Sequence, residues 1–137
     1  MSAILLSIRP EYVKSILDGT KKYEYRKRLA NNDVKYIYIY STSPVMKVVA
    51  KAEITDVLHA SPTALWERTK KSAGISRQNY RYYFKGCKTA YAYQLGTIQT
   101  FSSPKDLQDF GIAIAPQSFV YVNDDVIQSN KQDANNV

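Results

Sequence analysis

The chain begins with a nearly continuous apolar segment followed by a helical pattern. AILLSI is a short apolar run closed by RP, which predicts a buried strand. PEYVKSILDG then spaces its apolar residues as a helix does, with Pro10 suited to the first turn and Gly19 to a left-handed stop. The stripe expected to face inward consists of Val13, Ile16 and Leu17.

Two alternating segments come next. In KKYEYRKR, tyrosines occupy one face of a predicted strand and Lys, Glu and Arg side chains the other. In VKYIYIY, tyrosines alternate with isoleucines, so both faces favour a strand. The turn LANND separates the two strands.

The second half of the chain predicts two long strands, three helices and a final strand. VMKVVAKAEITDVL indicates a long strand, with the possibility of a bulge, that places Val48, Ala50, Ala52 and Ile54 on one face. SPTALWERTKKSAG and SRQNYRYYFKG predict helices capped by Ser61 and Ser76. KTAYAYQLGTIQTF predicts a strand, SSPKDLQDFG a short helix capped at Ser103, and SFVYV the last strand.

This order of elements predicts the fold class. It has too few alternating βαβ units for a doubly wound sheet, so we expect an α+β fold built on a mixed or antiparallel barrel with flanking helices. The 137 residues fit one domain, expected over residues 1–122. Residues 123–137 are polar and are predicted to form a flexible tail.

Charge favours an anionic partner. The net charge is +7, and the last sixteen residues contribute −2, which leaves +9 on residues 1–121. Such a field suits RNA, single-stranded nucleic acid or nucleotides, although it also serves solubility. The single cysteine excludes an internal disulfide, and neither a signal peptide nor a membrane helix is predicted. A cytoplasmic protein is expected.

The segment GTKKYEYR has the form G-x-K-x-x-E-x-R and resembles the signature of the ASCH family, within the PUA-like superfamily. The setting matches as well, because a strand and a helix that ends at the glycine precede it. YSTSP, LW and APQSF resemble a phage and bacterial branch of the family. The resemblance covers roughly residues 4–121 and implies a PUA-like barrel of five or six strands flanked by helices.

The resemblance also implies a cleft beside the first helix, lined by Lys21, Glu24 and Arg26. Glu24 and Arg26 lie two apart on a strand, so they face the same way. Arginine can hold phosphate through two parallel hydrogen bonds, and a desolvated lysine can act as a base. Glu24 could accept a hydrogen bond from a nucleobase or orient Lys21. The alternative is a solvated ladder of ion pairs that contributes little stability.

Further candidates lie near the predicted strand ends and on the second half of the chain. Tyr40 could stack on a base. The other candidate ligand-binding residues are Ser7, Arg9, Thr42, Gln117 and Ser118. A second basic cluster could follow a nucleic-acid backbone or form a solvated helix face, and it comprises Arg77, Arg81, Lys85 and Lys88.

Three classes of function remain open from the sequence. The leading one is a module that binds RNA or a modified nucleotide, without cofactor or metal, in regulation of transcription or in RNA metabolism. The second is a metal-independent hydrolase, with Lys21 and Glu24 as catalytic residues, that cleaves RNA or N4-acetylcytidine. The resembled N4-acetylcytidine amidohydrolases have a nucleophilic threonine where this chain has Glu24, so an activated water would have to attack. The third is a regulator that binds another protein.

Overall fold

The computed structural model describes residues 2–31 and 33–123, and the predicted tail therefore lies outside it from residue 124 onward. The helices are α1 (Pro10–Leu17), α2 (Pro62–Thr69) and α3 (Arg77–Tyr83). The strands are β1 (Ser2–Ile8), β2 (Tyr23–Arg26), β3 (Tyr36–Ser41), β4 (Lys47–Ala60), β5 (Ala90–Lys105) and β6 (Phe119–Asn123). Short 3-10 helices at Lys70–Ser72 and Leu107–Phe110 complete the set.

The strands form one six-stranded mixed sheet in the order β2-β5-β4-β3-β1-β6. β1 and β3 are parallel, and all other neighbours in the sheet are antiparallel. This confirms the α+β, barrel-like PUA-like fold. Within the described residues, β2 and β6 end the hydrogen-bonded order, so the sheet is not closed by strand pairing.

β1 is buried on both faces, which explains its nearly continuous apolar sequence. Ile4, Leu6 and Ile8 join a core cluster that also contains residues of α1, β3 and β4. Ala3 and Leu5 point to the opposite face, where Tyr38 and Tyr40 of β3 pack beside them. A strand covered on both sides needs apolar residues at successive positions.

Two predictions about which side chains share the inward face are wrong. Leu17 is 40% exposed, because α1 buries Val13 and Ile16 and then ends. Val48 packs with Leu5 rather than with Ala50, since the register of β4 shifts between them. Such a bulge turns the following side chains to the other face.

The predicted helix capped at Ser103 is also a correction. Residues 102–105 belong to β5, and Lys105 pairs with Val48 of β4. The helical turn begins only after Asp106, whose cap with Asp109 is a capping box. Strand pairing with β4 therefore overrides the local helix signal.

α2 and α3 pack over the β2 end of the sheet. A core cluster joins Leu65 of α2, Tyr80 of α3 and Phe84, which follows α3, to Tyr25 of β2 and Ala92 of β5. This packing places α3 beside β2 and near α1. No helix in the described part of the chain combines the length and the apolar character required to cross a bilayer.

Candidate functional site

A cleft of about 590 Å³ lies between the C-terminal end of β1 and β2, and we call it the β1–β2 cleft. α1 and α3 complete its walls together with the loop that precedes β6. Lys21, Glu24 and Arg26 all line it, so the structure brings the three motif residues together. The cleft exists because β1 and β2 are not neighbours in the order of the sheet.

Glu24 and Arg26 form a buried ion pair where β1 meets β2, a junction that we call the seam. Arg26 Nη2 and Nε lie 2.6 and 3.1 Å from Glu24 Oε2. The side chains are only 8% exposed for Glu24 and 13% for Arg26. Arg26 Nη2 also donates to the carbonyl oxygen of Ser7, 3.1 Å away, and so joins β2 to β1. The alternative of a solvated ion-pair ladder is therefore wrong for this pair.

The pair determines which groups remain for a ligand. Burial tends to lower the pKa of Arg26, but the charge of Glu24 and its hydrogen bond raise it above the ordinary value. Arg26 consequently stays charged, with Nε and Nη2 already donating to protein oxygens. Its remaining terminal nitrogen, Nη1, is the group left for an added anion, so the predicted two-bond grip on phosphate is not available in this conformation.

Glu24 keeps one carboxylate oxygen for the cleft. Both contacts from Arg26 reach Oε2, and no donor among the described residues reaches Oε1. No fully buried side-chain oxygen in the described part of the chain lacks a partner, so Oε1 must have access to the cleft. Glu24 thus orients Arg26 rather than Lys21 and presents Oε1 as an acceptor.

Lys21 is almost fully buried, at 3% exposure. Its Nζ donates to the carbonyl oxygen of Ala73 at 2.9 Å. The same Nζ lies 4.8 Å from the ring centre of Tyr25 and 5.4 Å from that of Tyr12. Burial lowers the pKa of Lys21, and the charge of Glu24 opposes part of this decrease. Lys21 is therefore a less basic amine than an exposed lysine.

Two glycines shape the chain around Lys21. Gly19 has φ +87° and ends α1, as predicted. Gly74 has φ +62°, and a Cβ at Gly74 would lie 2.2 Å from Cβ of Lys21. Only a glycine permits this approach, which holds the Ala73 carbonyl against Nζ. The contact was not predicted, because 52 residues separate Lys21 from Ala73.

The remaining predicted ligand-binding residues divide into two groups. Ser7, Arg9 and Gln117 line the β1–β2 cleft. Tyr40, Thr42 and Ser118 do not. Tyr40 is 4% exposed within the cluster around Leu5, so its ring has no free face on which a base could stack. The stacking role predicted for Tyr40 is corrected on this ground.

Several lining residues were not predicted as site residues. Tyr82 of α3 is 80% exposed, and Lys27 Nζ lies 4.9 Å from the ring centre of Tyr83. The signal was present in NYRYYF, because Tyr80 and Phe84 are four apart and form the buried face, which leaves the intervening tyrosines outside it. The lining residues missed are Ile8, Tyr12, Tyr25, Lys27, Ile75, Asn79, Tyr82 and Tyr83.

Cations outnumber carboxylates among the residues that line the cleft. Its charged residues are four cations and one carboxylate, so their formal sum is +3. The residues are Arg9, Lys21, Glu24, Arg26 and Lys27. No cluster of three or more His, Cys, Asp or Glu that could hold a metal occurs among residues 2–31 and 33–123.

The second basic cluster lies away from this lining. Arg77 and Arg81 are exposed on α3 and border a groove against α2. Lys85 and Lys88 are also exposed but follow the end of α3 and do not line that groove. Two of the four residues predicted to contact a nucleic-acid backbone therefore line the same groove.

Comparisons with known proteins agree with the motif. A family model described as ASCH domain matches residues 6–101. The ASCH domain-containing ribonuclease of Zymomonas mobilis is 35% identical over 92 residues, which span 66% of this chain and 62% of that protein. ATP synthase subunit alpha of Ureaplasma parvum is 29% identical over 120 residues, which span 87% of this chain and 15% of that protein. Each alignment thus covers less than two thirds of the relative.

The fold comparison extends over nearly the whole chain. The crystal structure of ASCH from Zymomonas mobilis superposes with a TM-score of 0.85 at 29% sequence identity. The match covers 95% of this chain and 94% of that one. The overall fold is thus shared with a solved structure.

Proposed function

Because the chain belongs to the ASCH domain family, we propose that it is an RNA-binding domain that acts in RNA metabolism. The β1–β2 cleft holds one nucleotide of a single strand. The observation that carries this proposal is the lining of the cleft, where a formal charge of +3, the free oxygen of Glu24 and the exposed ring of Tyr82 meet. The relative named a ribonuclease supports RNA as the ligand class.

Each part of a nucleotide has a matching group in the cleft. Arg9 and Lys27 are exposed and supply charge for phosphate. Tyr82 offers a ring face for a base, a contact that contributes about 1–3 kcal/mol by alanine substitution in comparable proteins. Glu24 Oε1 can accept from an exocyclic amine such as N4 of cytosine. A base carrying such an amine is therefore the preferred occupant.

Binding can be tested without disturbing the buried pair. A single-stranded RNA decamer is titrated by fluorescence anisotropy against wild type and Arg9→Gln/Lys27→Gln. The matched control is Lys14→Gln/Lys71→Gln, which removes the same charge from exposed residues outside the cleft. We expect at least tenfold weaker binding for the cleft variant only. Equal affinities for the two variants, or no binding by wild type at low salt, would overturn the proposal.

Cleavage of RNA is the second candidate, and the lowered pKa of Lys21 favours it. Neutral Lys21 would accept the proton of a 2′-hydroxyl while O2′ bonds to the adjacent phosphorus. The bond from phosphorus to O5′ then breaks, and O5′ takes a proton from solvent. Arg26 Nη1 would stabilise the charge that develops on the phosphate oxygens.

Cleavage is tested with wild type, Lys21→Met and the exposed control Lys14→Met. An enzyme of this kind would produce ends with a 2′,3′-cyclic phosphate, at a rate that rises with pH as Lys21 loses its proton. The Lys14 control would retain that activity, and Lys21→Met would lose it. Without Lys21-dependent cleavage at any pH, the second candidate is wrong and binding alone remains.

The wild type and the variants above also test two other functions, amidohydrolase activity and protein binding. Glu24 holds Arg26 at the position where the resembled amidohydrolases have a nucleophile, so we expect no acetate release from N4-acetylcytidine. Capture of a protein partner that resists nuclease and the Arg9→Gln/Lys27→Gln change would favour a protein-binding regulator instead.

A further inference from the structure

We propose a second nucleotide subsite in the groove between α2 and α3, so that the ligand is a strand that passes over α3. We call this surface the α2–α3 groove and define it by Trp66, Arg77 and Arg81. The inference rests on the proposed function, because it adds a second contact to a strand already held in the β1–β2 cleft.

The groove has a fixed apolar floor. It measures about 240 Å³, and its floor residues Tyr80 and Phe84 are each 2% exposed. The Tyr80 hydroxyl donates to the carbonyl oxygen of Pro62 at 2.7 Å, which joins α3 to the start of α2. The Trp66 ring lies 4.8 Å from the Tyr80 ring and is only half-buried. Trp66 is therefore held in place while part of its ring remains accessible to a base.

Two arginines give the groove its charge. Arg77 and Arg81 are four residues apart on α3, so they project from the same side of the helix. Neither an Asp nor a Glu is among the residues that line the groove. Glu67 lies close to Arg77, but its main partner is Lys70, whose Nζ is 2.7 Å from Glu67 Oε2. Both guanidinium groups thus remain available for phosphate.

α3 separates this groove from the cleft. Asn79, Tyr82 and Tyr83 line the β1–β2 cleft, whereas Arg77 and Arg81 line the α2–α3 groove. A helix with its side chains is about 10–12 Å wide. A free mononucleotide in the cleft leaves the groove empty, whereas consecutive nucleotides of one strand can reach both. RNA fits better than an acidic peptide because the groove pairs its charge with an aromatic ring, as single-strand binding surfaces do.

The test compares ligands of two lengths. Cytidine monophosphate and a single-stranded RNA decamer are titrated against wild type, Arg77→Gln/Arg81→Gln and the control Lys14→Gln/Lys71→Gln. We expect the groove variant to bind the decamer at least tenfold more weakly and to bind the mononucleotide as wild type does. For the groove variant, the slope of log affinity against log salt concentration should be less steep by about 1.4. Each lost contact with a single-stranded phosphate removes about 0.7 of that slope.

Trp66 provides an independent readout, since it is the single tryptophan of the chain. The decamer should quench its fluorescence and the mononucleotide should not. If the decamer binds both variants equally and leaves Trp66 emission unchanged, the subsite is wrong while binding in the cleft stands. Quenching by a phosphopeptide but not by RNA would also overturn it. If neither ligand binds wild type, the proposed function fails and the subsite fails with it.

Discussion

Glu24 and Arg26 stabilise the seam only as a pair. Removal of Glu24 leaves a buried guanidinium without its counter-charge, so Glu24→Ala should reduce the free energy of unfolding by about 3–5 kcal/mol in urea denaturation. Glu67→Ala is the control, because the Glu67–Lys70 pair is about half exposed and its loss should reduce the stability far less. Equal losses for the two variants would contradict the buried pair.

The burial of Lys21 predicts a pH-dependent stability. Its pKa in the folded protein lies below the ordinary 10.5, so between the two values the unfolded chain binds more protons. The wild type should therefore gain stability relative to Lys21→Met as pH rises through that window. The unfolding free energies of both proteins are measured from pH 7 to 10.5. The contributions of the other titrating groups cancel in the difference between the two proteins. A difference that is flat or that falls with pH would mean Lys21 is solvated.

Gly74 holds Lys21 in position. Gly74→Ala should cost more than Gly86→Ala, although both positions have positive φ. An alanine at Gly86 meets no atom within 4 Å and carries only the left-handed backbone cost of about 1–2 kcal/mol. At Gly74 the added Cβ also displaces Lys21. Thermal melts of the two variants compare these costs, and similar melting temperatures would show that the Lys21 contact is loose.

At the scale of elements, α3 has a structural face and a face that we propose binds the ligand. Tyr82→Ala should leave the stability unchanged and weaken RNA binding by about 1–3 kcal/mol, because Tyr82 is 80% exposed at the cleft. Tyr80→Ala should instead lower the stability by about 3–5 kcal/mol, since its buried ring packs against Trp66, Tyr25 and Phe84. Calorimetry and RNA titration of both variants distinguish the faces. A large loss of stability in Tyr82→Ala would contradict this division.

Local patterns predicted most elements and the motif, but not the contacts made at long range. The alternation in β2 is enough to place Glu24 and Arg26 together, and helical spacing places Val13 and Ile16 inside. The strand at residues 102–105 depends on its pairing with β4, which no local signal records. The burial of Lys21 likewise depends on Ala73 and Gly74, far along the chain.

At the scale of the whole molecule, the open sheet and the positive charge act together. β1 and β2 lie apart in the order of the sheet, and Arg26 joins them through Ser7 instead of strand pairing. The space left there is lined by four cations and one carboxylate. A net charge of +7 attracts polyanions in general, while this lining would give the proposed binding a defined place.

The location of bound RNA is the most direct test of that central claim. Amide chemical shifts of isotope-labelled protein are recorded by NMR during titration with a single-stranded RNA decamer. The account predicts that the largest changes occur in β2, at residues 8–12 and at residues 79–83, which together surround the cleft. Shifts centred on other parts of the sheet, or none at saturating RNA, would contradict it.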